Sequence, residues 1–299
     1  MVSSSFEYFA PTTLDEAARL LARHRGDARI LAGGHSLIPL MKLRLSEPKY
    51  LIDLGRIEAL SAISELNGGL SIGAMTTYRG LETSRAVQSK APMIAEAASG
   101  VADVQVRNRG TIGGSLAHSD PAGDLPAVVL ALGGTIVART RRATREISAD
   151  RFFIDLLTTA LRPTEILTEI RIPAAPPRTG TSYQKFANKA SHYPIAGVAA
   201  LVTLDSDGLV SDARVAVTGA GPKAARARRT ERILKGKEPT PSVIRRASDR
   251  AAVEIGNDLT DDIHASAEYR AHLVQVYAER AITKAVERAG GWGGLNPAS

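Results

Sequence analysis

Hydrophobic positions near the start of the chain alternate between helical and strand-like spacing. Over residues 14–24 the apolar side chains recur every three or four positions, which predicts an amphipathic helix with Thr13 as its N-cap and Glu16 completing a capping box. Short apolar runs at 29–32 and 51–54 predict buried strands on either side of a polar and glycine-containing stretch. Residues 1–56 are therefore expected to form a small α/β subdomain.

From residue 57 the pattern changes to hairpins and helices. Apolar runs at 62–65 and 70–72 flank Asn67-Gly68-Gly69, a pair of strands with a tight-turn sequence between them. Helical spacing follows at 77–85, 91–100 and 125–132, and strand-like spacing at 135–140 and 165–172. Residues 57–176 are expected to form a second, α+β subdomain.

A proline-rich stretch at 173–180 predicts a linker to a third unit. Beyond it, apolar runs at 182–186, 195–204 and 210–217 predict strands, with a hairpin turn at 205–208, and helical spacing continues at 223–235, 241–256 and 266–288. Residues 177–288 should form an antiparallel sheet with helices on one face. The glycine-rich residues 289–299 are expected to be a flexible tail, with an arm that orders on a partner as the alternative.

Composition narrows the cellular context and the chemistry. The chain has 299 residues, 44% of them hydrophobic, but no apolar run near the roughly 20 residues that span a bilayer. Its first residues lack the basic and apolar regions of a signal peptide. We therefore expect a cytoplasmic protein without a transmembrane segment, which would reach the inner face of the membrane only through partners. Without cysteine the chain cannot form disulfides or supply thiolates to a metal or an iron–sulfur cluster.

The net charge of +7 comes largely from two basic clusters, residues 139–151 and 223–237. Nucleic-acid binding is one interpretation, but single-strand binders interleave aromatic side chains with the cations, and here only Phe152 and Phe153 lie near one cluster. Solvated faces that contact an acidic partner subunit are the preferred interpretation. The six histidines are scattered, so no metal site is predicted.

Two glycine pairs mark the candidate site. Residues 107–126 lack hydrophobic periodicity and contain Gly113-Gly114 between the hydroxyls of Thr111 and Ser115, with Asp120 and Asp124 behind them. Such a pair lets backbone N–H groups approach an anion, although a plain tight turn is the alternative. The second pair lies in Ala32-Gly33-Gly34-His35-Ser36, directly after a predicted strand. Two such loops could hold the two phosphates of a dinucleotide from opposite sides. Neither loop has the spacing of a Rossmann fingerprint or a P-loop, which argues against the usual nicotinamide and nucleoside-triphosphate sites.

These two strings resemble the paired FAD-pyrophosphate loops in the flavoprotein (medium) subunits of the molybdenum hydroxylase family. The likeness extends to residues 37–42 and 105–110, covers roughly residues 5–285, and is greatest to the medium subunits of aerobic carbon monoxide dehydrogenases. It implies an α+β fold, with a two-subdomain FAD-binding domain of the vanillyl-alcohol-oxidase (PCMH) type followed by the C-terminal antiparallel sheet.

The resemblance also implies which residues surround FAD. The two glycine loops would contact its phosphates and ribityl chain, and Asp124 the adenosine ribose. Lys185 would lie near the flavin, with an exposed strand lysine as the alternative, and Tyr193 would cover one face of the isoalloxazine unless it is an ordinary loop aromatic. The full set is Ala32, Gly33, Gly34, His35, Ser36, Leu37, Ala102, Asp103, Thr111, Gly113, Gly114, Ser115, Asp124, Leu167, Lys185 and Tyr193.

No catalytic residue is expected on this chain. His35 is interpreted as a residue that positions the cofactor rather than as a general base, since nothing in the sequence supplies a proton for it to move. Eukaryotic-type xanthine dehydrogenases have a glutamate after the first loop, where this chain has Ser36, and this difference argues against direct reduction of NAD.

The function implied by the resemblance is electron transfer. Substrate would be oxidised on a molybdopterin-containing large subunit, and electrons would pass through an iron–sulfur small subunit to FAD here and then to an external acceptor such as a quinone. Carbon monoxide is the favoured substrate, and an aldehyde or an N-heterocycle is the alternative. A non-redox nucleotide-binding or scaffold protein is the alternative outside the enzymes.

Overall fold

A computed structural model of the chain describes residues 2–290. Residues 291–299 of the predicted tail therefore lie outside the described residues. The N-terminal part contains a three-stranded parallel sheet in the order β1-β3-β2. Its strands and helices are β1 (Glu7–Phe9), α1 (Leu14–Arg23), β2 (Ala28–Leu31), α2 (Leu37–Lys42) and β3 (Tyr50–Asp53).

The predicted first helix and its cap are confirmed. The Thr13 hydroxyl accepts a hydrogen bond from the N–H of Glu16 at 3.2 Å. The apolar face of α1, with Ala17 and Leu21, is buried against a core that includes Ile52 of the central strand β3. The first glycine pair follows β2 at the carboxyl end of this parallel sheet, where α/β sheets commonly bind ligands.

The central part is built on a five-stranded antiparallel sheet in the order β4-β5-β10-β6-β7. The predicted hairpin is confirmed: Asn67 and Gly68 connect β4 and β5 with φ angles of 50° and 80°, as a tight turn requires. The strands are β4 (Ile63–Leu66), β5 (Gly69–Gly73), β6 (Thr135–Arg139), β7 (Thr144–Ser148) and β10 (Ile166–Ile172), with β8 (Phe153–Asp155) and β9 (Thr158–Thr159) forming a separate hairpin.

The helices of the central part differ from the sequence expectation in two places. The helix expected over 77–85 ends at Thr83, because Ser84 adopts an extended conformation, and the Ser84 hydroxyl caps a further helix that was not predicted. Residues 107–126, expected to be aperiodic, contain a helix whose Ile112 and Leu116 are buried one turn apart. The helices are α3 (Tyr78–Thr83), α4 (Arg85–Lys90), α5 (Pro92–Ser99), α6 (Val104–Arg107), α7 (Ile112–His118) and α8 (Asp124–Ala131).

The C-terminal part is a four-stranded antiparallel sheet, β11 (Thr179–Ala187), β12 (Pro194–Leu204), β13 (Val210–Thr218) and β14 (Ala225–Arg226). Three helices follow: α9 (Arg228–Leu234), α10 (Pro241–Ser248) and α11 (Ala267–Arg288). The linker predicted at 173–180 is shorter than expected, because β11 already begins at Thr179. The helix predicted from 223 starts five residues later, since residues 225–226 pair with β13 instead. The helix expected over 241–256 ends at Ser248 and continues as 3₁₀ turns.

Helices cover both faces of the C-terminal sheet. Helix α11 lies across β11 and β12, as expected of a sheet with helices on one face. The opposite face packs against α8 and α5 of the central part, so all eleven residues of β12 are buried. The central and C-terminal parts consequently share a core, in which Leu125 and Val128 lie with Ala199 and Leu201. No helix within residues 2–290 is long and apolar enough to cross a membrane.

Candidate functional site

A cavity of about 580 Å³ lies where the N-terminal sheet, helix α7 and strand β10 meet. Fourteen of the sixteen predicted site residues line it, and Asp103 and Lys185 do not. The Asp103 side chain instead caps α6, accepting the N–H of Val106 at 2.9 Å. Across the rest of the chain that the structure describes, no group of three or more His, Asp or Glu side chains is placed to hold a metal ion.

The first glycine segment (residues 32–36) offers free backbone donors to the cavity. Within residues 2–290, the N–H groups from Gly33 to Leu37 have no acceptor on the protein. Gly34 has a φ of 79°, a conformation that glycine adopts without strain, and the Ser36 hydroxyl makes no capping bond to α2. Consecutive unpaired N–H groups of this kind bind anions such as a diphosphate.

The second glycine segment (residues 111–115) is built differently from the loop that the sequence suggested. Four of its five N–H groups are already used: Ile112 donates to the carbonyl of Thr76 at 3.0 Å, Gly113 to that of Ala74 at 2.8 Å, Gly114 to the Thr111 hydroxyl at 3.1 Å and Ser115 to the Thr111 carbonyl at 3.0 Å. For these four residues the expectation of N–H groups free for the cofactor is therefore wrong. Thr111 is the N-cap of α7, and the capping bond that its hydroxyl accepts explains why a hydroxyl residue stands at this position.

The glycines have a packing role that the sequence did not reveal. A Cβ atom on Gly33 would lie 2.3 Å from the carbonyl oxygen of Arg109, and one on Gly113 would lie 2.5 Å from the Ala74 Cβ. Real Cβ atoms do not approach other atoms this closely. Gly33 therefore lets the first glycine segment lie against the backbone of Arg109 and Gly110, while Gly113 lets α7 lie against the end of β5.

Asp124 lies at the cavity wall at the start of α8, with only 5% of its side chain exposed. Its Oδ1 accepts hydrogen bonds from the Tyr183 hydroxyl and the Lys185 ammonium, both at 2.8 Å, while no other residue within 2–290 donates to Oδ2. Burial raises the pKa of Asp124, and the charge of Lys185 opposes that shift. Burial and the Asp124 charge raise the pKa of Tyr183 well above its usual value, so its hydroxyl stays a donor.

Lys185 is neither an exposed strand lysine nor a residue of the cavity wall. Its side chain is 12% exposed, and its ammonium donates to Asp124 and to the carbonyls of Gly100 and His192 at 2.7–2.8 Å. All three protons therefore have acceptors on the protein. The bond to His192 ties β11 to the loop before β12, which carries Tyr193.

Tyr193 projects at the cavity mouth, 45% exposed, and belongs to none of the buried core clusters. Its carbonyl accepts the N–H of Asn188 at 2.8 Å, which closes the loop that presents the ring. Burial, with the charges of Asp120 and Asp124, raises the pKa of its hydroxyl. The alternative of an ordinary aromatic packed on the sheet does not fit this position.

Sequence reasoning missed several wall residues, of which Tyr78 is the most informative. Burial raises the pKa of Tyr78 to about 12. The ring fits beside the second glycine segment because Gly110 has no side chain: a Cβ there would lie 2.5 Å from the Tyr78 Cε2. Other missed wall residues with polar or large apolar side chains include Leu54, Met75, Leu157, Leu161, Glu165 and Ile166. None of these belongs to a motif, so no local signal marked them, whereas Asp120, noted behind the second glycine pair, does line the cavity.

Part of each basic cluster is neutralised within the protein. Arg145 forms a two-bond ion pair with Glu165 at 2.6 and 2.7 Å. Asp150 contacts Arg214, Arg226 and Arg228 at 3.1–3.5 Å. Burial would raise the pKa of Asp150, but these arginine charges outweigh it and lower the pKa. The positive charge available to a partner is thus smaller than the sequence suggested.

The cavity fits FAD in its chemistry. It combines a row of free N–H groups for a diphosphate, a free carboxylate oxygen on Asp124 for ribose hydroxyls, and an apolar wall that includes Leu54, Met75 and Leu167 for a planar ring. Comparison with known proteins agrees with that fit. A family model described as the FAD binding domain in molybdopterin dehydrogenase matches residues 4–175. The chain belongs to this family of molybdenum hydroxylase flavoproteins.

The C-terminal part and individual relatives extend the match. A model of the CO dehydrogenase flavoprotein C-terminal domain matches residues 181–285. The chain is 40% identical to the carbon monoxide dehydrogenase medium chain of Hydrogenophaga pseudoflava, over 96% of this chain and 99% of the relative. It is 38% identical to the 6-hydroxypseudooxynicotine dehydrogenase complex subunit alpha of Paenarthrobacter nicotinovorans, over 97% of both.

A solved structure of the Hydrogenophaga pseudoflava carbon monoxide dehydrogenase, in a form lacking the Mo-pyranopterin moiety of the molybdenum cofactor, superposes with a TM-score of 0.92. The sequences are 41% identical, and the match covers 96% of this chain and 99% of the other. The predicted family, fold class and cofactor are therefore confirmed. This chain is an FAD-dependent oxidoreductase subunit.

Proposed function

We propose that this chain is the electron-transfer subunit of a three-component molybdenum hydroxylase. A molybdopterin-containing large subunit would oxidise the substrate, and an iron–sulfur small subunit would pass the electrons to FAD on this chain, from which an external acceptor such as a quinone takes them. The observation that carries the proposal is the cavity in which the free N–H groups from Gly33 to Leu37 face an apolar wall. Any association with the inner face of the membrane would come through partners.

The protein groups around the cavity would divide the binding of FAD among them. We assign the diphosphate to the free N–H groups of the first glycine segment, the adenosine ribose to Oδ2 of Asp124 and one face of the flavin ring to Tyr193. Bound FAD supplies the ability to take up an electron pair and release the electrons one at a time. The cofactor would lie between subdomains 1–56 and 57–176, and domain 177–288 would supply the loop that carries Tyr193.

Carbon monoxide is the substrate that we favour, on the 40% identity to a carbon monoxide dehydrogenase medium chain. An N-heterocycle or an aldehyde is the second candidate, because a relative of nearly equal identity is named for a nicotine derivative. In either case substrate would be chosen by the molybdenum subunit, and no residue of the FAD cavity would contact it.

The test uses the purified chain loaded with FAD. Dithionite should bleach the flavin absorbance in a stopped-flow trace, whereas carbon monoxide, a pyridine derivative or an aldehyde should leave it unchanged until the two partner subunits are added. Acid precipitation should release all yellow colour, because the chain offers no cysteine for covalent attachment and His35 is not expected to form a link. Bleaching by a substrate without partners would contradict the proposal, as would colour that stays with the precipitate.

A further inference from the structure

A second cavity of about 580 Å³ adjoins the first. It lies between the turn at residues 120–122, the loop that carries Tyr193 and the segment after the 3₁₀ turns, which includes Thr260 and His264. Asp120 and Tyr193 line both cavities, so these two residues lie where the cavities adjoin. Ser191, Tyr193 and His264 are exposed, which leaves the second cavity open to solvent.

The hydrogen bonds around Asn188 determine which ring nitrogen of His264 can donate a hydrogen bond. The Asn188 Oδ1 accepts the N–H groups of Ala190 and Ser191 at 2.8 and 3.2 Å, and these two bonds determine the orientation of the amide. Its Nδ2 therefore points to the His264 Nδ1, 3.4 Å away, and can only donate to it. In neutral His264 the proton then resides on Nε2, which has no acceptor within residues 2–290.

Further neutral donors surround the same space. In the part of the chain that the structure describes, the hydroxyls of Thr260 and Tyr193 have no hydrogen-bond partner, and that of Ser191 only accepts a bond, from the N–H of Tyr193 at 3.4 Å. The raised pKa of Tyr193 keeps its hydroxyl protonated and able to donate. The cavity thus presents several uncharged N–H and O–H donors.

The charges around the cavity disfavour an anion. The guanidinium of Arg270 is buried and neutralised by Asp262 through two bonds of 2.7 and 2.8 Å. Its Nη1 donates to the carbonyls of Ile195 and Gly219. The remaining ionisable wall groups include the carboxylates of Asp120 and Asp258. A dinucleotide such as NAD would bring its diphosphate close to these carboxylates, and the described residues that line the cavity include no unpaired lysine or arginine to offset the repulsion.

We propose that the second cavity binds the quinone that takes electrons from this subunit, an inference that rests on the proposed function. A quinone is neutral, planar and carries two carbonyl oxygens that accept hydrogen bonds, which matches neutral donors such as the His264 Nε2–H and the Thr260 hydroxyl. Its reduction to the hydroquinone takes up two electrons, supplied by reduced FAD in the first cavity, and two protons, supplied by solvent. Tyr193, which lines both cavities, would lie between the two molecules.

The test measures binding as well as turnover. The FAD-loaded full chain is titrated calorimetrically with 2,3-dimethoxy-5-methyl-1,4-benzoquinone, and His264→Leu and Thr260→Val are compared with the wild type. Each variant removes one donor, so Kd for the quinone should rise about three- to tenfold. His272→Leu is the matched control, because His272 is an exposed histidine of α11 outside both cavities and its replacement should leave Kd unchanged.

A kinetic measurement separates this inference from the proposed function. The chain is reduced with stoichiometric dithionite and reoxidised by the quinone or by ferricyanide. Half-saturation by quinone should shift in His264→Leu and Thr260→Val, whereas FAD content and reoxidation by ferricyanide should not. The inference is overturned if the wild type binds no quinone, if neither variant changes the Kd, or if NAD competes for the cavity. Loss of FAD from the wild-type chain, or failure of dithionite to reduce it, would instead contradict the proposed function.

Discussion

Replacing Asp124 by alanine should lower both the stability of the chain and its affinity for FAD. Asp124 is 5% exposed and Lys185 12%, so the substitution leaves a nearly buried ammonium without its carboxylate. Breaking a buried ion pair from one side costs about 3–5 kcal/mol. Because Lys185 keeps the carbonyls of Gly100 and His192 as acceptors, we expect the lower end of that range.

The effect on FAD can be separated from the effect on folding. Loss of the Asp124 Oδ2 removes one partner of the proposed charged hydrogen bond to the ribose, worth about 1–3 kcal/mol. Kd for FAD should therefore rise roughly five- to 150-fold. FMN lacks the adenosine, so its Kd should stay near the wild-type value. The measurements are fluorescence titrations with FAD and FMN, together with denaturant unfolding of the apoprotein.

Two further variants complete the design. Asp124→Ala combined with Lys185→Met should recover part of the lost stability, because the unpaired ammonium is gone, but should not recover the affinity for FAD. Asp150→Ala is the control: it removes a carboxylate that pairs with Arg214 and Arg226 away from the cavity, so it should reduce stability alone. Equal losses for FAD and FMN would place Asp124 away from the ribose, and strictly additive stabilities would contradict the buried pair.

Three other changes test the site and its supports. Gly34→Ala should cost about 1–2 kcal/mol of stability, because the φ of 79° at this position is left-handed and strains any residue other than glycine. Thermal unfolding measures the loss, and an unchanged Tm would contradict the expected strain. Gly114→Val should lose FAD while circular dichroism stays native, since Gly114 lines the cavity and a branched side chain there would take up space that the cofactor needs; full FAD content would exclude this segment from binding. Burial would raise the pKa of Glu165, but the bond from Arg145 outweighs it and lowers the pKa. The stability that ionised Glu165 contributes is therefore complete above the unfolded pKa of about 4.3, and it is lost as the pH falls through the lower folded pKa. Glu165→Gln should therefore cost about 2 kcal/mol at neutral pH and progressively less below pH of about 4, and a deficit independent of pH would refute this.

Sequence patterns were sufficient for elements whose signals are local. The capped helix α1, the Asn67-Gly68 hairpin and the long helix α11 follow from hydrophobic spacing, a capping hydroxyl or a turn pair within a few residues. The two glycine motifs also led to the family, the fold class and the cofactor. These features need only information carried by neighbouring positions, or by strings that recur among relatives.

Tertiary structure decided what distant residues do to one another. Whether Gly33 faces a ligand or the carbonyl of Arg109 depends on a contact across 76 positions of the chain, counted from residue 33 to residue 109. The role of Lys185 likewise depends on Asp124, which pairs with it only because α8 packs beneath the C-terminal sheet. The sequence shows that glycines, a lysine and an aspartate are present, since composition and spacing are local properties. Only the packing of sheets and helices determines which N–H groups remain free for the cofactor and which side chains surround the second cavity.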